Sequence, residues 1–203
     1  MYASRMSNLP PYLFARIDEM KAEQRKLGAD LIDLGVGDPD LATPAHIVEA
    51  LCTAAKDPKN HHYPDYAGLP AYRSAVAGWY KKRFGVSLDP AKETLALMGS
   101  KDGIAHIAEA FVNCGDYVLA PSPGYPVYRT GTLFAEGKVH EMPLLQKNNF
   151  IPVLADIQKK VAKKAKILYI NYPNNPTAAV APDGFYKEVV DFARENDIVV
   201  VSD

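Results

Sequence analysis

Apolar positions along the chain fall into two rhythms. Over the first ninety residues the spacing is helical: Leu13, Ile17, Met20 and Leu27 recur along a segment from Tyr12 to Leu27, and Gly28 follows as a stop. Leu31 to Leu34 reads as a short strand. Thr43-Pro44 reads as an N-cap with proline at the first helical position, opening a helix to about Lys56. Pro70 to Phe84 reads as a further helix, closed by Gly85. Beyond this point short apolar runs alternate with helical ones. Strands are expected at 94–98, 117–120, 139–142, 167–170 and 198–201, and helices at 100–112, 126–134, 154–162 and 183–195. Unbroken apolar strands separated by helices predict an α/β fold, a parallel sheet covered on both faces. The last run, Ile198 to Asp203, has a buried-strand pattern with no covering helix after it. The chain therefore reads as a piece of a longer protein, and uncovered apolar faces are expected.

Composition narrows the class. Of 203 residues, 48% are apolar, and 23 basic side chains face 24 acidic ones for a net charge of -1. That supports a packed core and offers no basic patch for a nucleic acid, so no nucleic-acid partner is expected. The run Lys159, Lys160, Lys163, Lys164 and Lys166 reads as the solvated face of a helix. Cys52 and Cys114 stand alone in apolar stretches and read as buried thiols of a reducing compartment. No segment approaches the ~20 apolar residues of a membrane span, and Met1 to Asn8 lacks a signal-peptide core. A soluble, cytoplasmic protein with no membrane partner and no metal site is expected.

In open parallel sheets ligands bind where the strands end, and the unusual residues follow the strands. Gly99-Ser100-Lys101-Asp102-Gly103 opens a helix with free amides, a hydroxyl and a positive charge, which suits an anion. An ordinary serine N-cap beside a surface lysine explains it as well. Pro121 to Tyr128 is a proline-bounded turn that presents Tyr125, a flat ring able to stack on a planar ligand or simply to pack the loop. Asn171-Tyr172-Pro173-Asn174-Asn175-Pro176-Thr177 holds asparagines between prolines, as amide donors or as turn caps. Asp203 ends the last strand, where a carboxylate is costly without a positive partner.

Taken together and in order, these phrases resemble the aspartate aminotransferase (fold type I) superfamily of pyridoxal-phosphate enzymes. The carriers are Tyr63…Gly68-Leu69-Pro70…Arg73, Gly99 to Gly103, Pro121…Tyr125-Pro126-Val127-Tyr128, Asn174-Asn175-Pro176-Thr177 and Ser202-Asp203. Leu9-Pro10-Pro11-Tyr12-Leu13-Phe14 and Leu34-Gly35-Val36-Gly37-Asp38 are similar to the LL-diaminopimelate aminotransferase branch. The resemblance implies a three-layer αβα fold with a mainly parallel sheet. Residues 1–44 would form the N-terminal arm and part of a small domain, and residues 45–203 an incomplete large domain. It implies pyridoxal 5'-phosphate as cofactor, with Ser100 and Lys101 on its phosphate and Tyr125 stacked on its ring. Asn175 would meet the ring's phenolic oxygen and Asp203 its protonated nitrogen. Tyr63 would reach the phosphate of a neighbouring subunit in a homodimer. Tyr12 and Gly37 would line the substrate pocket, with Lys101, Tyr125 and Asn175 also facing substrate. The implied reaction moves an amino group from an amino acid, LL-2,6-diaminopimelate in lysine biosynthesis, to 2-oxoglutarate.

Three departures accompany the resemblance. Ala178 stands where the family usually has glycine, and Ser122 where close relatives often carry aspartate. The lysine that anchors the cofactor covalently lies beyond Asp203 in the family, so no catalytic residue is expected among these 203 and the chain alone is expected to be inactive. Other amino-acid substrates of the alanine or aspartate type, and a non-catalytic binding module, are the alternatives. A generic dinucleotide-binding βαβ unit predicts a glycine-rich loop after the first strand and an acid ending the second, and the sequence has neither in the required arrangement.

Overall fold

The computed structural model describes residues 2–9, 13–33, 35, 37 and 39–203, without the side chains of residues 13 and 14. The chain divides into two compact units, Pro10–Ala96 and the remainder, Met1–Leu9 with Leu97–Asp203.

The first unit is helical: α1 (Leu13–Lys26), α2 (Ala45–Lys56) and α3 (Pro70–Phe84). Proline starts α3 and Gly85, in the left-handed region at φ 72°, ends it, as the sequence predicts. At α2 the proline sits one position earlier, as the cap itself, and no side chain caps the helix. The 31–33 stretch forms no strand. Two motif residues here have structural work. Gly68 takes φ 87°, and a Cβ on it would lie 2.2 Å from the Ala96 side chain. Arg73 donates to the carbonyls of Gly68 (3.2 Å) and Pro90 (2.9 Å), clamping the chain before and after α3.

The second unit holds α4 (Ser100–Phe111), β1 (Tyr117–Ser122), α5 (Pro126–Phe134), β2 (Lys138–Pro143), α6 (Lys159–Ala162), β3 (Ala165–Ile170), α7 (Phe185–Asn196) and β4 (Val199–Ser202). The strands form a four-stranded parallel sheet in the order β2-β1-β3-β4. Alternate side chains supply its two faces. Val118, Ala120, Ile167 and Tyr169 pack with Ile104, Ala108 and Tyr128 from α4 and α5. Leu119, Leu168 and Ile170 pack with Phe185, Val189 and Ala193 from α7. The result is three layers, helix–sheet–helix.

Four expectations are corrected here. Residues 94–98 form no ladder, because a strand needs a pairing partner and none of the described residues supplies one. The helix expected at 154–162 is split into a 3-10 turn, Leu154–Asp156, and the short α6. The lysine run is therefore no helix face: it crosses α6, the following turn and β3. Cys52 and Cys114 are both exposed rather than buried. Cys52 lies on α2, which buries none of its residues.

Candidate functional site

The carboxyl ends of β1, β3 and β4 and the start of α4 carry Ser100, Lys101, Tyr125, Asn175 and Asp203, all in the second unit. Gly99, at φ 87°, is the N-cap of α4, so Ser100 is its first helical residue and makes no side-chain cap. The serine-cap alternative is thereby removed. Ser100 and Lys101 are exposed, and the first amides of α4 point out of the helix with the positive end of its dipole. Asp102 is turned back within the turn, receiving the Met98 N–H at 3.4 Å and lying 3.0 Å from His106 Nδ1. Lys101 Nζ lies 5.8 Å from the centre of the Tyr125 ring and forms no ion pair among the described residues.

Tyr125 is half-buried at the cap of α5, and Tyr128, three residues on, faces the same side. The two rings meet edge to face at 5.9 Å. Tyr128 is 1% exposed and stacks on Tyr169 of β3 at 4.6 Å. The Tyr169 hydroxyl donates to the carbonyl of Ile104 at 3.1 Å, tying β3 to α4. The Tyr128 hydroxyl donates to Oδ2 of Asp203. Burial, reinforced by the Asp203 carboxylate, pushes the Tyr128 hydroxyl far above its ordinary pKa of 10.0. Burial alone pushes Tyr169 up to about 12. Both stay neutral donors near pH 7.

Asp203 continues the ladder past β4, donating its N–H to Ile170 at 2.9 Å, while Asn171 donates from Nδ2 to its carbonyl at 3.0 Å. Asn171 Oδ1 receives the Asn175 N–H at 2.6 Å. The loop is closed by Ala178 N–H to Asn174 (2.7 Å) and Asn174 N–H to Ala179 (2.8 Å). Asn174 is 4% exposed and accepts from the Thr177 hydroxyl, while its Nδ2 has no partner among the described residues. The Asn175 side chain is left free at the surface: it is exposed and forms no side-chain hydrogen bond among the described residues.

A continuous path of contacts thus joins Lys101, Tyr125, Tyr128, Asp203, Asn171 and Asn175. The sequence singled out four of these and assigned no role to Tyr128 or Asn171. The i,i+3 spacing from Tyr125 and the position directly after a strand were the available signals. Tyr63 and Gly37 belong to the other unit, where both are exposed. Tyr12 lies outside the described residues.

The parallel sheet between helical layers is the fold of the fold type I pyridoxal-phosphate transferases. The chain belongs to the aminotransferase class I and II family, whose model matches residues 29–203 and whose members depend on pyridoxal phosphate. Its relatives include LL-diaminopimelate aminotransferases. That of Desulforudis audaxviator is 56% identical over 99% of this chain and 51% of its own length; that of Aquifex aeolicus is 54% identical over 100% and 52%. Among solved structures, substrate-bound BacF from Bacillus subtilis superposes with a TM-score of 0.92 at 37% identity, covering 100% of this chain and 51% of its own. An aspartate aminotransferase from Thermus thermophilus gives 0.90 at 30% identity, covering 100% and 52%. The chain spans about half the length of the curated relatives it matches.

The donor set fits the family's cofactor. Cationic and hydroxyl donors stand at one end of the contact path, a half-buried ring in the middle, and an amide and a carboxylate at the other end.

Proposed function

We propose that the chain is the cofactor-holding portion of an aminotransferase that moves an amino group between LL-2,6-diaminopimelate and 2-oxoglutarate. The observation supporting this is the contact path from Lys101 through Tyr125 and Tyr128 to Asp203, which puts a cation, a flat ring and a carboxylate in the order a phosphorylated pyridine requires. The diaminopimelate assignment rests on the names of relatives above 50% identity. When bound, the cofactor supplies an electron sink for loss of the substrate α-proton.

The residues bind and orient. Ser100, Lys101 and the first amides of α4 hold the phosphate, where charge and helix dipole act together. Tyr125 lies against the ring face and restricts its tilt. Asn175 donates to the phenolic oxygen. Asp203 keeps the ring nitrogen protonated, because an adjacent carboxylate favours the charged form. Lys101, Tyr125 and Asn175 also face the substrate. Tyr63 serves the phosphate of a second copy in a homodimer. Residues 1–44 belong to the arm and small domain, and residues 45–203 to the large domain. A cytoplasmic location suits the substrates, which are small amino and 2-oxo acids.

Lys101 sits at the phosphate end and leaves the 203 residues without an anchoring lysine, so the chain alone does not transaminate. The test is an assay of the chain, and of the protein at the length of its relatives, with LL-diaminopimelate and 2-oxoglutarate. Glutamate formed by the longer protein alone is expected; turnover by the 203 residues, or none by the longer protein with any amino donor, would sink the proposal.

A further inference from the structure

Asn175 presents its side chain at the surface, and the loop from Asn171 to Ala179 decides where that side chain stands. Hydrogen bonds inside the loop fix its shape: Asn175 N–H to Asn171 Oδ1, and the exchange between Asn174, Ala178 and Ala179. They do not fix how the loop stands on the sheet. The side chain that ties it to α7 and to the turn after β2 is Tyr172. Its hydroxyl donates to the carbonyl of Phe150 at 2.9 Å, and its ring meets Phe185 of α7 edge to face at 5.2 Å. The ring packs against the core formed by Leu168, Ile170, Phe185 and Val189. The acceptor is also held. Phe150 donates its N–H to Leu145 at 3.0 Å and Ile151 donates to Asn148 at 3.0 Å, closing the 145–151 turn. Burial pushes the pKa of the Tyr172 hydroxyl up to about 12, so it stays a donor at neutral pH. We propose that Tyr172 is a positioning residue, anchoring the loop so that the Asn175 amide is held for the phenolic oxygen of a bound pyridine ring. This rests on the cofactor reading of Asn175 given above.

A tyrosine that only stabilises the fold and one that aims Asn175 differ in what they do to ligands. Loss of general order weakens every ligand of the site alike. Loss of aim weakens only a ligand carrying the oxygen that Asn175 would meet, because a hydrogen bond weakens steeply when misdirected. The contrast between two ligands that differ in this one oxygen therefore decides.

The probes are pyridoxine 5'-phosphate and its analogue lacking the ring hydroxyl. Neither has an aldehyde, so neither forms a covalent bond to any lysine. Both are titrated by calorimetry into the full-length apoprotein, unaltered or carrying Tyr172→Phe, Asn175→Ala or both. Asn175→Ala is expected to weaken the hydroxylated probe about tenfold, the scale of one hydrogen bond to a charged group, and to leave the analogue unchanged. Tyr172→Phe keeps the ring against Phe185 and should weaken the hydroxylated probe about threefold, part of the same bond, again sparing the analogue. In the double variant the tyrosine substitution should add nothing, since it acts only through Asn175. If the unaltered protein does not bind the hydroxylated probe, or Asn175→Ala weakens both probes alike or neither, the cofactor reading of Asn175 falls and this inference with it. If Asn175→Ala separates the probes while Tyr172→Phe weakens both alike or neither, or weakens the hydroxylated one equally with and without Asn175, this inference alone is overturned.

Discussion

At Ala178 a single side chain works against the backbone that carries it. The residue takes φ 59°, in the left-handed region, while its N–H closes the loop onto Asn174 at 2.7 Å. A Cβ there costs roughly 1–2 kcal/mol, whereas glycine would pay only its greater freedom in the unfolded chain, about 0.4–1 kcal/mol. Ala178→Gly is therefore expected to stabilise the chain by about 0.5–1 kcal/mol, read as a higher urea midpoint at unchanged slope. Gly68 is the opposite case. Its φ of 87° and the 2.2 Å approach to Ala96 leave a methyl group nowhere to go. Gly68→Ala should cost roughly 2–4 kcal/mol, strain and overpacking together. An equal urea midpoint would show that the 67–69 turn can move aside.

Elements are joined here by tyrosines as well as by apolar packing. Tyr169 fixes β3 to α4 through the Ile104 carbonyl, and removing its hydroxyl in Tyr169→Phe should cost about 1 kcal/mol. The same burial makes stability depend on pH. Tyr169 ionises at about 12 in the folded chain against 10.0 ordinarily, and Tyr128 is shifted in the same direction. A raised folded pKa stabilises fully below the unfolded value and is lost as pH rises through the folded one. Stability should therefore start to fall above pH 10 and keep falling to about pH 12. Tyr169→Phe should flatten that decline in urea melts at successive pH values; an unchanged slope would assign the decline to other groups.

At the scale of the molecule, much apolar surface has no cover. Helix α2 buries none of its residues, with Ile47 and Leu51 50% and 70% exposed, and the apolar side chains of residues 95–98 include Met98 at 91%. Among the described residues β4 pairs with β3 alone. Exposed apolar patches and open strand edges favour association. The purified chain is expected to self-associate and bind a hydrophobic dye, as read by light scattering and fluorescence. A monomer with a sharp cooperative melt would contradict this. Among the described residues, no helix is long and apolar enough to cross a membrane.

The amino-acid sequence by itself determined the helices from Pro70 and Pro126, whose starts and stops are local backbone chemistry, and the four strands whose apolar runs find one another. It also marked Ser100, Lys101, Tyr125, Asn175 and Asp203 as candidates, by the rule that ligands of a parallel sheet bind where apolar strand-like runs end. Only tertiary structure decided what depends on partners distant along the chain. Residues 94–98 have a strand's composition and no ladder, since pairing is a property of two segments. Tyr128 looked like one more aromatic beside Tyr125 until the fold set its hydroxyl against Asp203, 75 residues away. Cys52 looked buried, but burial is decided by what packs against α2 and not by its composition.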